Sequence, residues 1–339
     1  MRRKIAVIGA GVVGLSTAVC IAESLPDCSV TVISEKFSPD TTSDVAAGIL
    51  IPKMFPETPL QLQKSWFKTT FDYLLGISKS HNASDAGVHM LFGWHLFKEI
   101  PSEEYPFWHD VVMGFRPMTD EELAQFPGYK FGQAFMTMKC ECTFYLPWMV
   151  KRLKSAGGQI QKEKVTDFWD LHGKYDLVVN CTGIGSRELA GDMQLYPMRG
   201  LAVQVRAPWL KHFVRVSDGQ TYMYPGRETV TLGGTTEKDN WSLKVDPITS
   251  QEVFERCCNL EPSLRKCEVV HDWVGLRPTR ASVRLEKEVL KRGEDQLTVI
   301  HNYGHSGCGI SIHWGTAWDA TQLVKECVIV SRMALKAKM

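Results

Sequence analysis

Six residues near the start of the chain, Gly9-Ala10-Gly11-Val12-Val13-Gly14, have the types and spacing that hold a pyrophosphate. The first glycine permits a tight turn, the second lets a phosphate approach the backbone, and the third lets helix and strand pack closely. A carboxylate at the end of the following strand should accept ribose hydroxyls, and Glu35 stands there with Lys36 beside it. The turn does not choose between NAD and FAD. Thr41-Thr42-Ser43 leads through small residues to Gly48-Ile49-Leu50. That run lets the chain pass tightly by a cofactor, but a loop capping a helix through Asp40 or Ser43 reads equally well. A second strand-to-turn junction, Cys181-Thr182-Gly183, could also lie against a nucleotide.

These residues need a βαβ unit to position them. Ile5–Ile8 reads as a buried strand, Val12–Ile21 continues at helical spacing, and Cys28–Ile33 reads as the next strand. The basic start and the uncharged run Ile5–Ala22 imitate a signal peptide or a short span. The glycines and the change of period argue instead for a soluble chain. Helical stretches follow at Leu60–Ser78 and Thr119–Gln125, and strand-like runs at Val165–Leu171 and 177–180. Further strands fall at 202–205, 221–224, 229–232, Val269–Val274 and 297–301, with helices at Ser250–Cys258 and from Ile310 onward. The expected architecture is α/β. A Rossmann-type nucleotide domain (1–50, 146–195, 285–339) interleaves with a strand-rich α+β substrate domain (51–145, 196–284).

The composition sets limits. In 339 residues, 39 Lys plus Arg against 38 Asp plus Glu leave a net charge of +1, which gives no electrostatic case for nucleic acid or an acidic membrane. A hydrophobic share of 44% excludes a disordered chain. The 10 cysteines include no CxxC pair and no zinc-like spacing, so no metal is expected and the thiols read as reduced.

The turn His301-Asn302-Tyr303-Gly304-His305-Ser306-Gly307-Cys308-Gly309 follows the last predicted strand. Taken with the N-terminal fingerprint, Thr41–Gly48, Pro147-Trp148, 179–183, 222–226 and Gly275-Leu276-Arg277-Pro278, it closely resembles the D-amino-acid oxidase family of FAD enzymes. The resemblance runs essentially end to end. It implies FAD as cofactor, bound by residues 9–14, Glu35, Lys36, Thr41, Thr42, Ser43, Gly48, Ile49, Leu50, Val165, Cys181, Thr182, Gly183, Gly275, Arg277 and Ser306, Gly307, Cys308, Gly309, Ile310 and Ser311.

It also implies that Arg277 holds the substrate α-carboxylate with its planar fork, that Tyr222 shares that carboxylate, and that the Gly307 carbonyl receives the amine. The chemistry implied is oxidation of the amine to an imine, which water hydrolyses to a 2-oxo acid and ammonia while oxygen becomes hydrogen peroxide. No general base is required; His301 and His305 read as hydrogen-bonding turn residues. The helix after Gly309 would aim its positive end at the cofactor. Arg215 matches a position that acidic-substrate members use for the distal carboxylate. The second arginine of those members is replaced by Thr236, followed by Glu237, with Lys238 as a partial substitute. The expected substrates are acidic D-amino acids (D-aspartate, D-glutamate, N-methyl-D-aspartate); the alternative is a neutral or broad preference.

The C-terminal Ala337-Lys338-Met339 resembles a variant of the small–basic–Leu/Met peroxisomal address, so an import receptor is an expected partner and the peroxisome the expected location. The sequence leaves a homo-oligomer open.

Overall fold

The structure, a computed structural model, describes residues 2–336. The chain opens with β1 (Arg3–Ile8), α1 (Val12–Ser24) and β2 (Cys28–Ser34), then runs through α2 (Leu60–Ser78) and α3 (Ala83–Ala86). The strands β3 (Val88–Phe97), β4 (Met113–Pro117) and β5 (Phe131–Cys140) follow, with α4 (Asp120–Leu123) between the last two. Next come α5 (Cys142–Ser155), β6 (Gln159–Lys162), β7 (Leu177–Asn180) and α6 (Ser186–Leu189). β8 (Tyr196–Arg206), β9 (Phe213–Val216), β10 (Tyr222–Pro225), β11 (Val230–Gly233) and β12 (Glu237–Lys238) form a block. The chain then continues with α7 (Pro247–Leu260), β13 (Glu268–Arg292), β14 (Asp295–His305) and α8 (Gly309–Lys336).

All strands belong to one sheet, with β12 attached to the side of β8. Its order has two regimes. β14, β7, β1, β2 and β6 are parallel neighbours. Parallel strands are covered on both faces, which explains why Ile5, Val7, Val30, Val32, Val178 and Val179 are all buried. The remaining neighbours pair antiparallel, apart from β3 with β9. β13 joins the regimes. Its first half pairs with β8 as far as Thr279, and its second half pairs with β14 after a register shift between Thr279 and Arg284. Arg277 and Pro278 therefore sit at the place where one strand changes partners.

We propose the two-domain division as a functional one. The boundary at 284/285 falls inside β13 and the boundary at 145/146 inside α5, so the halves share continuous elements.

The predicted strand over Val165–Leu171 is a correction. Residues 163–167 are irregular and Phe168–Leu171 is a single 3-10 turn capped by the Asp167 side chain on the Trp169 N–H. The apolar residues misled the reading: Phe168 and Leu171 pack beneath the sheet with Ile8 and Ile33, at a spacing of three rather than two. β6 took the edge position instead. The short helix expected near Thr119 forms as α4, with a capping box between Thr119 and Glu122.

Candidate active site

A cavity of about 1090 Å³ lies along the carboxyl ends of β1, β2, β7 and β14 and extends under β8, β10 and β13. Ligand crevices of open α/β sheets form at such strand ends. Single-ligand pockets hold roughly 300–1,000 Å³, so this one has room for a dinucleotide and a small second molecule.

The cofactor half is built by the first βαβ unit. Gly9 takes φ +106°, a left-handed conformation that favours glycine. A Cβ at Gly14 would overlap the Gly9 carbonyl, so α1 can approach β1 only with glycine there. Gly14 thus packs the helix against the turn and does not line the cavity, whereas Gly9, Ala10, Gly11, Val12 and Val13 do. Gly11 has no side chain to cap α1 and the first turn carries no acid, so beyond the Val12 N–H, which a loop hydroxyl accepts, the helix N-terminus keeps N–H groups for phosphates.

Ser43 resolves the two readings of its loop by serving both: its hydroxyl accepts the Val12 N–H at 3.0 Å, and Thr41, Thr42 and Ser43 line the cavity. Asp44, not Asp40, organises the turn, accepting from the Thr41 N–H at 3.0 Å. Glu35, Lys36, Gly48, Ile49, Val165, Cys181, Thr182, Gly183, Gly275 and Ser306 to Ile310 also line the wall. Leu50 and Ser311 do not. Leu50 is fully buried and its backbone is held by Met138 and Thr137, and Ser311 faces into the packed start of α8. Asn302 is a cavity residue that the sequence reading passed over. Its buried Oδ1 has no hydrogen-bond partner among the described residues, as an acceptor awaiting a ligand donor would be. These features fit FAD.

Gly14→Ala is expected to yield protein with little bound flavin absorbance and a thermal midpoint lower by several °C, because helix and turn cannot both keep their places. Comparing absorbance spectra and melting curves of the purified proteins tests this.

The second half of the cavity is cationic. Arg277 projects from β13 under Gly200, where a Cβ would run into its guanidinium. Its Nη1 donates to the Thr235 carbonyl at 3.1 Å and more loosely to the Arg199 carbonyl at 3.4 Å. Neither acceptor is a carboxylate, so the charge is oriented but not neutralised. Tyr222 and Tyr224 alternate along β10 and share one face, stacked with ring centroids 4.5 Å apart. A Cβ at Gly233 on the paired strand would run into the Tyr222 ring. Burial pushes the Tyr222 phenol up, opposed by Arg277 and Arg215, so the hydroxyl stays a neutral donor.

Arg215 on β9 donates to the Tyr224 hydroxyl at 3.0 Å, and its Nε has no partner among the described residues. Burial pulls the Arg215 pKa down, but its tyrosine neighbours outweigh that and the net shift is upward, so it stays charged. Thr236 lines the cavity, while Lys238 does not: its ammonium lies over the Tyr196 ring at 4.9 Å, so it cannot substitute as a second cation. Glu237 binds Arg199 and Asn240, which keeps its charge occupied. Lys53 is the cation the sequence reading missed. The signal was a single charge inside the apolar run Gly48–Phe55.

Neither histidine of the turn is free to act as a base. His301 bonds Glu288 at 2.8 Å and Asn180 at 3.2 Å, and His305 bonds the Thr316 hydroxyl at 3.0 Å. Burial lowers the His305 pKa to about 3. His95 falls likewise to about 3, and His89 and His313 to about 4, mainly by burial. Each group is neutral when folded but takes up a proton on unfolding once the pH drops below about 6.5. Folding stability should therefore fall as pH falls from about 6.5 toward 4, by up to about 1.4 kcal/mol per pH unit for each such histidine. A thermal midpoint that is flat between pH 6.5 and 4.5 would contradict this.

The fold and the cavity define a flavin-dependent oxidoreductase. The model of the family described as FAD dependent oxidoreductase matches residues 4–323, and the chain belongs to that family. Among particular proteins, it is 56% identical over 325 residues to a D-aspartate oxidase from Homo sapiens, covering 96% of this chain and 95% of that one. It is 36% identical to a D-amino-acid oxidase from Rubrobacter xylanophilus, covering 94% of each chain. The fold matches that of glycine oxidase from Geobacillus kaustophilus with a TM-score of 0.76 at 20% identity, over 96% of this chain and 95% of that one. Among the described residues no helix is long and apolar enough to cross a membrane, and no cluster could hold a metal ion.

Proposed function

We propose that this chain is an FAD-dependent oxidase that deaminates acidic D-amino acids. The carrying observation is that Arg277 and Arg215 both face one cavity without an ion-pair partner among the described residues. Holding uncompensated cations beside a cavity is costly unless a ligand supplies the opposite charge. A dicarboxylate supplies it twice. The similarity to D-aspartate and D-amino-acid oxidases supports the same reading and assigns the substrate its hand.

In this reading the Arg277 fork and the Tyr222 hydroxyl take the α-carboxylate, and the Gly307 carbonyl accepts an N–H of the neutral amine. Arg215, oriented by Tyr224, takes the side-chain carboxylate. The glycine turn, Glu35 and the loop 41–49 hold FAD, and the N-terminus of α8 adds positive potential at the reacting end. When held there, FAD would supply the two-electron redox chemistry between the amine-bearing carbon and oxygen. Water then hydrolyses the imine, so amino acid, oxygen and water give 2-oxo acid, ammonia and hydrogen peroxide. The chain's work is positioning and charge complementarity, with no side-chain base. Peroxide release across D-Asp, D-Glu, N-methyl-D-Asp, D-Ala, D-Arg and L-Asp with added FAD tests the proposal. Faster turnover of D-Ala or D-Arg than of D-Asp would reject the acidic assignment.

The residues Ala337, Lys338 and Met339 lie outside the described residues. Their likeness to a peroxisomal address, together with a peroxide product, supports a peroxisomal location through an import receptor. A fluorescent fusion carrying this C-terminus should be punctate and should turn diffuse when the three residues are removed.

A further inference from the structure

Lys53 lies on the cavity wall, in the segment between the loop 41–49 and α2. Its place is fixed by backbone contacts at both ends of a short stretch. The Lys53 N–H donates to the Cys308 thiol at 3.1 Å, and the Glu57 N–H donates to the Ala281 carbonyl at 3.2 Å. The side chain reaches toward the turn between β9 and β10. A Cβ built on Gly219 would stand 3.7 Å from the Lys53 Nζ and 3.9 Å from the Arg215 Nη2. The two cationic heads thus both lie within ordinary contact distance of the point where a side chain at one glycine would begin.

Among the described residues no carboxylate answers either charge. Lys53 has no ion-pair partner among the described residues, and the charged and titratable groups that act on it are Arg215 from β9, Arg277 from β13 and the Cys308 thiol of the turn. Asp218, the nearest acid in sequence to Gly219, is spent on its own turn, accepting from the Gln220 and Thr221 N–H groups. Partial loss of hydration at the cavity wall, and after it the Arg215 charge, push the pKa of the otherwise exposed Lys53 below its usual value, the direction expected of a cation set beside another cation without an anion.

We propose that Lys53 is the second cation of the distal-carboxylate subsite, acting with Arg215 in place of the arginine that Thr236 replaces. The inference rests on the acidic-substrate reading and deepens it by naming the residue that completes the subsite. A carboxylate between the two heads would relieve their repulsion and gain two charge-assisted hydrogen bonds. A neutral side chain would leave the repulsion in place, so Lys53 selects against such substrates as well as for acidic ones.

The test uses the FAD-loaded enzyme and Lys53→Met, which keeps the length of the side chain and removes its charge. The ratio of kcat/KM for D-Asp to that for D-Ala should fall about tenfold, modest because Lys53 is open to solvent, and chiefly through the KM for D-Asp. A second measurement avoids turnover. Binding of succinate and of butyrate, followed through the flavin visible spectrum, should lose about tenfold of its preference for succinate in Lys53→Met and keep it in Lys53→Arg. An unchanged preference in Lys53→Met, with Arg215→Leu abolishing it, would overturn the role of Lys53 alone. A wild-type enzyme that prefers neither D-Asp to D-Ala nor succinate to butyrate would overturn the acidic-substrate reading itself.

Discussion

Arg277→Leu should lower kcat/KM by about a thousandfold or more on every substrate, acidic or neutral. All of them carry the α-carboxylate, and removing one partner of a desolvated, hydrogen-bonded charge pair costs roughly 2–5 kcal/mol or more. The loss has a second source. The Thr235 and Arg199 carbonyls aim the fork, so substrate is bound and oriented by the same group, and a misplaced α-carbon loses rate as well as affinity. Arg277→Lys keeps the charge but not the planar fork and should recover only part of the loss. Each variant must retain its flavin absorbance for the comparison to hold. Activity of Arg277→Leu within tenfold of wild type would remove this residue from the substrate site.

Arg215→Leu should act selectively. The kcat/KM for D-Asp is expected to fall about a hundredfold, roughly 3 kcal/mol, because the distal carboxylate is left buried without a partner. The ratio of D-Asp to D-Ala activity should fall with it. Stability should move in the opposite direction. Arg215 is a buried cation whose Nε bonds nothing among the described residues and whose surroundings offer tyrosine hydroxyls and a further cation, Lys53. Replacing it relieves a charge held for binding, so the thermal midpoint without dicarboxylate should rise by a few °C. Equal losses on D-Asp and D-Ala, or a lower midpoint, would point to a structural role.

The legible parts of the site were those governed by near neighbours in sequence. The glycine turn requires its three glycines within six positions, and the alternation of Tyr222 and Tyr224 already puts both on one strand face. Val165–Leu171 was misread for the converse reason: a short apolar run has the same composition in a strand and in a turn beneath a sheet, and only packing partners separate them. Lys238 and Lys53 show the same limit. Both are lone lysines in sequence, yet one lies over Tyr196 and the other reaches the cavity.

By itself the sequence determined the nucleotide-binding end, the α/β class and the resemblance that points to the chemistry, since each rests on spacing within a few residues or on motifs kept in order along the chain. Only the tertiary structure decided which charges converge. Lys53, Arg215, Tyr222, Arg277 and Cys308 come from five separate segments. They meet because β13 leaves β8 for β14 just beyond Arg277, folding the substrate-side strands over the nucleotide turn. Electrostatic energy depends on distance through space, and no pattern along the chain encodes it.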